Sequence, residues 1–564
     1  MKNKILKFTS LALATLLTTA SVGCSGGGGK NSTKNYGDKT VLNIGVFDGG
    51  LGHAWAEAVA EKFEEKYANT SFEEGKMGVY VDINPQKELF KVASIRAAIE
   101  QNTAAEDIYY TCYQFNREFA DDGLVLNLND IINEKVYTES GELADMEFDY
   151  KTGKQTLKNG AAPTKSILDK MADLPKRTFN YTTSAKNITP GYYALPYENS
   201  AAGFIYDHDL FQEEGWLDYD GIDGLPDNLD DFFDLLDRIV AADCIPYTEG
   251  LGYYWKMLDC SFIAQYEGEE AAKLNYTYDG EYTFPGDKQP TKITPANAYR
   301  LAEQPGKEKY IEFMRKLTTV GYFSPDIVKI GYNFTSVQED FILSKNGNGK
   351  KRIAMIFEGE WWENEARDNF NYTGGYGKRD FRFFPLPQID GQKDESTRSL
   401  AIGDMTDMVV NAKTKYKDLC RLWVQFVHSE SALETFTIHT GAYRSTFKYD
   451  LDDLQLANLT PFGRDVYKIK SGQKGVTLFT TTAYAESHPF YAVCPMGGYG
   501  KTIASTVLGE FGGWQATGIY IDEYMIKNSG ITSAPRVPAQ TFIDGMYAYY
   551  SKDNWTNAWN GFNV

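Results

Sequence analysis

Glu358, Glu360, Trp361 and Trp362 stand directly behind the apolar run RIAMIF, residues 352–357. A flat indole suits the apolar face of a sugar ring, and neighbouring carboxylates accept hydrogen bonds from its hydroxyls. Adjacent helical side chains diverge by about 100°, so the two tryptophans cannot share a surface. One belongs to a core and the other is available to a cleft. A second polar group, Glu198, Asn199 and Ser200, follows Pro196 and Tyr197 between two apolar β-runs at 192–195 and 204–206. A strand interrupted in this way reads as a crossing between two bodies, with the polar group on the floor of the cleft between them. Strand, turn, strand is the plainer alternative. Glu198 with Glu358 or Glu360 could instead serve as the acid and base of a glycoside hydrolase.

Further candidates sit where strands end. VLNIGVF (41–47) reads as a buried strand and runs into the glycine-rich DGGLGH, which begins with Asp48; DIYYTCY (107–113) is another strand, ending in Tyr113 and Gln114. HAWAEAVAEKFEEKY between them spaces Trp55, Val59, Phe63 and Tyr67 as one helix face. Strands alternating with helices predict a mainly parallel sheet, whose ligands bind beyond the carboxyl ends of the strands. PYTEGLGYYW supplies an aromatic loop with Trp255, and AIGDMTDMVVNA (401–412), which carries Asp404, reads as a strand returning across the hinge.

Other stretches frame these. Residues 134–190 read as a surface insertion, residues 298–320 as one helix, and LNYTYDGEYTFPGDKQP as a hairpin turning at its DG. Leu419, Trp423, Phe426 and Val427 mark the first helix of a pair that Gly441 stops, and Asp207 caps a helix starting at His208. The acids of DYDGIDGLPDNLDD depart from calcium-loop spacing, and Asp230 and Asp231 favour a helix N-terminus. A bridge between Cys244 and Cys260 is an option open to an exported chain. No cofactor or metal is implied, because no GxGxxG, GxSxG, HExxH, Walker A or Cys/His zinc spacing occurs.

Length and charge bound the class. At 564 residues the chain exceeds a single core. Its net charge is −20, and loss of a leader holding Lys2, Lys4 and Lys7 but no acid takes it to −23. Such a surface repels nucleic acid and anionic lipid. Residues 1–23 combine those lysines with an apolar run and then Gly23 and Cys24, the plan of an export signal. The next segment, 24–39, is a flexible tether of roughly 20 Å average reach.

SVGC resembles the bacterial lipobox, with Ser21 where a leucine is usual. That resemblance implies cleavage, lipidation of Cys24 and a protein held at the extracellular face of the membrane. Taken in order, strand-DGG-helix, the DIYY strand followed by FADDGLVLNLNDII, YALPYENSAAGFIYDHDLF, PDNLDDFFDLL, PYTEGLGYYW, IAMIFEGEWW, FPLP and HTGAYRS resemble the extracellular solute-binding proteins of ABC importers, family 1, the maltodextrin-binding type. The resemblance covers most of 40–445. It implies a two-lobed, periplasmic-binding-protein-like α/β fold of type II, each lobe a mixed sheet flanked by helices, with the ligand cleft at the hinge. It also implies lobes of 40–197 plus about 405–445, and of 198–404 plus much of 446–564. A monomeric binding protein, not an enzyme, that captures an oligosaccharide and delivers it to a permease is the function it implies. Polyamine or ferric ion are the alternative solutes. By position, Asp48, Gln114, residues 198–200, Trp255 and Trp361 match places where family members touch ligand. The insertions at 134–190 and 265–295 and the C-terminal third depart from the pattern.

Overall fold

Continuous apolar runs become strands buried on both faces, and i, i+4 spacing becomes the helices that cover them. The computed structural model describes residues 36–86, 92–112, 116–181, 188–250, 258–329, 331–346, 350–394, 398–480, 488, 490, 525–526, 529–531 and 536–562. Its strands are β1 (Thr40–Phe47), β2 (Val79–Gln86), β3 (Ile108–Cys112), β4 (Asp145–Asp149), β5 (Lys154–Asn159), β6 (Leu195–Asp207), β7 (Ile245–Glu249), β8 (Gly280–Tyr282), β9 (Thr291–Ile293), β10 (Ile353–Gly359), β11 (Phe381–Phe384), β12 (Arg398–Val410) and β13 (Val476–Thr480).

Nine of them form one sheet in the order β2-β1-β3-β12-β6-β10-β7, with β11 beside β6 and β13 beside β12. β1 runs parallel to β2 and β3, and β10 parallel to β7. β12 is antiparallel to β3 and β6, and β6 is antiparallel to β10 and β11. The sheet is therefore mixed where the strand-helix alternation predicts a mainly parallel one. β6 and β12 enter it from long connections, and nothing local to them fixes their direction.

β6 is continuous, without the turn of the plainer reading, but it changes partners. Residues 195–201 pair with β12, and residues 203–207 pair with β10 and β11. The change falls on Ala201, Ala202 and Gly203, where a Cβ on Gly203 would stand 2.6 Å from the Phe383 ring. Pro196, which has no N–H to give, is tolerated because β12 shifts register opposite it, between Asp404 and Asp407.

The helices that matter here are α1 (Ala54–Lys66), α2 (Leu229–Ala241), α3 (Phe334–Leu343), α4 (Trp362–Glu365), α5 (Lys417–Val427), α6 (Glu430–Thr440) and α7 (Pro461–Lys470). α1 buries Trp55, Val59 and Phe63 as its spacing predicts. Asn228 caps α2 by accepting from the Asp231 N–H at 2.9 Å, with Asp230 and Asp231 in the first turn. The Asp207 side chain caps the helix His208–Glu214, and Gly441, at φ 73°, ends α6. Thr460 caps α7, whose first residue is Pro461.

Three local readings are corrected. The single helix of 298–320 is a 3-10 segment, Ala298–Glu303, followed by a separate helix, Pro305–Leu317, because proline starts a helix but cannot sit inside one. Asp279 precedes and Gly280 opens β8 instead of forming the hairpin's turn, since Tyr278, at φ 50°, has just ended the preceding helix. Cys244 is a free thiol, so it makes no bridge to Cys260. The 134–190 segment does carry a surface hairpin, the largely exposed β4 and β5. Among the described residues no helix is long and apolar enough to cross a membrane.

Candidate functional site

Strand register alone gathers most of the candidate positions. β3 ends at Cys112 beside Thr406 of β12, and Thr406 lies beside Glu198 of β6. Asp404 pairs with Asn199, and Gly403 with Ser200. From the other half of the sheet, β10 ends at Gly359 beside Ala202, and the Glu360 N–H donates to the Ala201 carbonyl at 2.9 Å. The carboxyl ends of β3 and β10 thus converge on residues 198–202, where β6 changes partners. The polar cluster read from the sequence lies on the β12 side, directly before the meeting point at Ala201 and Ala202.

Asn199 is 2% exposed and Ser200 fully buried. The Asn199 amide donates to Ser445 Oγ. Its backbone carbonyl accepts from Lys470 Nζ at 2.8 Å, and the same ammonium donates to Glu360 Oε1 at 2.7 Å. Both side chains of this ion pair are almost wholly inaccessible, 1% and 2%. Burial raises the Glu360 carboxyl, and the Lys470 charge and the Ser200 hydroxyl oppose that rise. Glu360 is thereby tied to Lys470 and, through it, to the Asn199 carbonyl.

A second buried cation acts three residues earlier on the same strand. Arg444 Nη2 donates to the Pro196 carbonyl at 2.9 Å and faces His428 Nε2 at 3.3 Å, with the guanidinium over Phe436 and Phe447. Lys470 and Arg444 thus hold the carbonyls on either side of Glu198. Sequence reading missed both. PFGRDVYKIK looks like an ordinary amphipathic helix whose last-turn lysines favour its C-terminus, and only Glu360, far away in the chain, reveals what Lys470 does.

The tryptophan pair faces two ways, as its spacing requires. Trp362 is fully buried in a satellite core with Phe341, Phe370, Phe381 and Phe462. Trp361, 3% exposed, belongs to the main core and folds back over Gly359, where a Cβ would stand 2.2 Å from its ring. Neither indole presents an open face. Glu358, inside β10, is fully buried and accepts from the Gly359 N–H at 3.0 Å. Asp48 pairs with His53 Nδ1, and its N–H donates to the Gln86 carbonyl at 2.8 Å.

Tyr113, Gln114, Trp255 and Cys24 lie outside the described residues, as do the side chains of Glu198 and Asp404. Of the acids in DYDGIDGLPDNLDD, Asp218 pairs with Arg238 at 2.8 Å and Asp223 with Lys474. A groove of about 1560 Å³ runs along the 265–295 insertion, lined by Tyr266, Tyr278, Tyr282 and His488 among others, and contains none of the candidates. Asn199 and Ser200 are buried and engaged with Ser445, Lys470 and Glu360, so they shape the floor from beneath.

The family profile described as bacterial extracellular solute-binding protein matches residues 48–434. No curated protein matches the sequence. Among solved structures, the solute-binding protein RafE in complex with raffinose has a TM-score of 0.53 at 12% identity, covering 91% of this chain and 100% of that one. A probable secreted solute-binding lipoprotein from Streptomyces coelicolor has 0.54 at 11%, covering 91% and 99%. The ABC substrate-binding protein Lmo0181 from Listeria monocytogenes, in complex with cycloalternan, has 0.51 at 13%, covering 93% and 100%.

Proposed function

The chain belongs to the bacterial extracellular solute-binding proteins, and from that premise we propose that it captures a carbohydrate, an oligosaccharide, and delivers it to the permease of an ABC importer. The fold is two-lobed and periplasmic-binding-protein-like, with mixed sheet flanked by helices. The observation that carries the proposal is the convergence of the β3 and β10 ends on the partner change in β6, within the stretch the family profile covers. Open α/β sheets bind ligands beyond the carboxyl ends of strands.

In this reading the lobes divide as the resemblance implies, 40–197 plus about 405–445 against the remainder. The sugar lies over Glu198 and Asp404, between Asp48, Tyr113 and Gln114 on one side and Trp255 on the other, with Asn199, Ser200, Glu358 and Trp361 buried behind that surface. Trp362 belongs to the separate core that supports α4. The protein works as a monomer without catalysis, as the family does. The sugar complexes among the similar structures favour carbohydrate over polyamine or ferric ion.

A melting panel tests the solute class. A ligand at 100 times its dissociation constant stabilises by about 2.7 kcal/mol, several degrees for lobes of this size. Raffinose, cycloalternan or maltotriose should give such a shift, and spermidine and ferric citrate none. The reverse pattern overturns the carbohydrate assignment. Lipid anchoring at Cys24 predicts that Cys24→Ser moves the protein from membranes to the medium, and a variant that still sediments with membranes refutes it.

A further inference from the structure

The loop after β1 and the helix after β10 belong to opposite halves of the sheet, and they touch. Asn364 Nδ2 on α4 donates to the Gly50 carbonyl at 2.9 Å. Next to it, burial raises the Glu365 carboxyl, and the Gln338 amide on α3 and the Gly50 N–H oppose that rise. Gln338 Nε2 donates to Glu365 Oε2 at 2.8 Å, fixing the carboxylate from behind. Gly50 and Gly52 have φ values of 56° and 68°, and a Cβ on Gly52 would lie 3.5 Å from Asn364 Nδ2. Gly50 and Gly52 therefore hold the loop against α4 in a backbone conformation other residues adopt only with strain.

Asp48, one of the groups proposed to hold solute, starts the loop, and the core residue Trp361 immediately precedes α4. The contact bridges the halves of the sheet that meet at Ala201 and Ala202. Neither Asn364 nor Glu365 needs to touch the sugar to affect it.

We propose that Asn364 and Glu365 are positioning residues that grip the Gly50 peptide and hold the halves closed over a bound carbohydrate, setting how slowly it leaves. This rests on the carbohydrate-binding reading. A contact present only when the halves have met stabilises the closed state and not the open one that first meets solute. It slows dissociation and leaves association alone.

Asn364→Ala removes the donor without adding charge, and Asn364→Gln returns a donor on a longer arm. Small-angle scattering without sugar should give Asn364→Ala a larger radius of gyration than the wild type, with Asn364→Gln nearer the wild type. Stopped-flow binding of whichever of raffinose, cycloalternan and maltotriose gives the largest melting shift should show dissociation roughly tenfold faster in Asn364→Ala, as expected for one net hydrogen bond, with association within about twofold. Melting without sugar should match the wild type, since the fold does not depend on the grip. A wild-type radius and dissociation rate in Asn364→Ala overturn the proposal. Slower association at unchanged dissociation also overturns it, because that marks a residue touching the sugar. If none of these sugars binds, the carbohydrate reading falls and the scattering comparison still decides the latch.

Discussion

Glu363 shows what a single buried acid does to this protein. It sits on α4 between Trp362 and Asn364, accepts from Thr460 Oγ1 at 2.6 Å, and is pushed up to about 7 by burial, against the Thr460 hydroxyl, the Arg367 charge and the Tyr376 hydroxyl. The folded carboxyl keeps its proton where the unfolded one, near the ordinary value of 4.5, has lost it. Its contribution to stability is thus fully present below pH 4.5 and is lost as pH rises through 7. His428 runs the other way, since burial and then the Arg444 charge hold its imidazole low, so stability gains as pH rises through the unfolded value. Glu363→Gln leaves His428 alone, and the difference from the wild type isolates Glu363. Urea unfolding should show the variant gaining up to about 3 kcal/mol on the wild type between pH 5 and pH 8. Parallel curves would refute the assignment. At this scale the sequence is readable where chemistry is local. Trp361 and Trp362 diverge because adjacent helical positions must, and Asp207 and Asn228 cap because each stands directly before a helix whose first N–H groups need an acceptor. Lys470 and Arg444 have no local signature, because their partners lie far away in the chain.

Helix α7 brings Lys470 to a strand that neither its own pattern nor that of β10 identifies. Removing one partner of a buried pair leaves the other charge uncompensated, at a cost of about 3 to 5 kcal/mol, whereas replacing both by apolar groups is often close to neutral. Lys470→Met should therefore cost about that much, and Lys470→Met with Glu360→Met should recover most of it, as measured by denaturant midpoints. Equal loss in the single and double variants would mean the pair does not act as a unit. Because the ammonium also holds the Asn199 carbonyl, some loss should persist in the double variant. The strands and their apolar faces are legible at this scale, since β10 is buried at every position and its sequence is uninterrupted by polar residues until Glu358. Direction is not legible. β12 pairs with β3 across nearly three hundred residues, and no turn chemistry near either fixes whether the pairing is parallel.

For the molecule as a whole, the consequential feature is that one strand serves both halves of the sheet. β6 pairs with β12 up to Ala201 and with β10 from Ala202 onward, so a small rotation about residues 201–203 moves one set of strands against the other without breaking either set. Ala201, Ala202 and Gly203 have side chains small enough to permit it, and Lys470 and Arg444 pin the carbonyls of Asn199 and Pro196 on one side of the pivot. A solute that touches both halves favours the closed arrangement by its differential affinity and by nothing else. Starting from an even mixture, holding about 99 molecules in 100 closed takes roughly a hundredfold preference, about 2.7 kcal/mol, which is within reach of a few hydrogen bonds and one stacked ring. The radius of gyration of the wild-type protein should therefore fall as a bound sugar saturates it. The fall should be larger in Asn364→Ala, whose sugar-free form starts more open, and absent with a sugar that gives no melting shift. Scattering curves that superimpose at saturating and zero sugar would show that the halves do not move, and the pivot at 201–203 would then be a rigid crossing instead of a hinge.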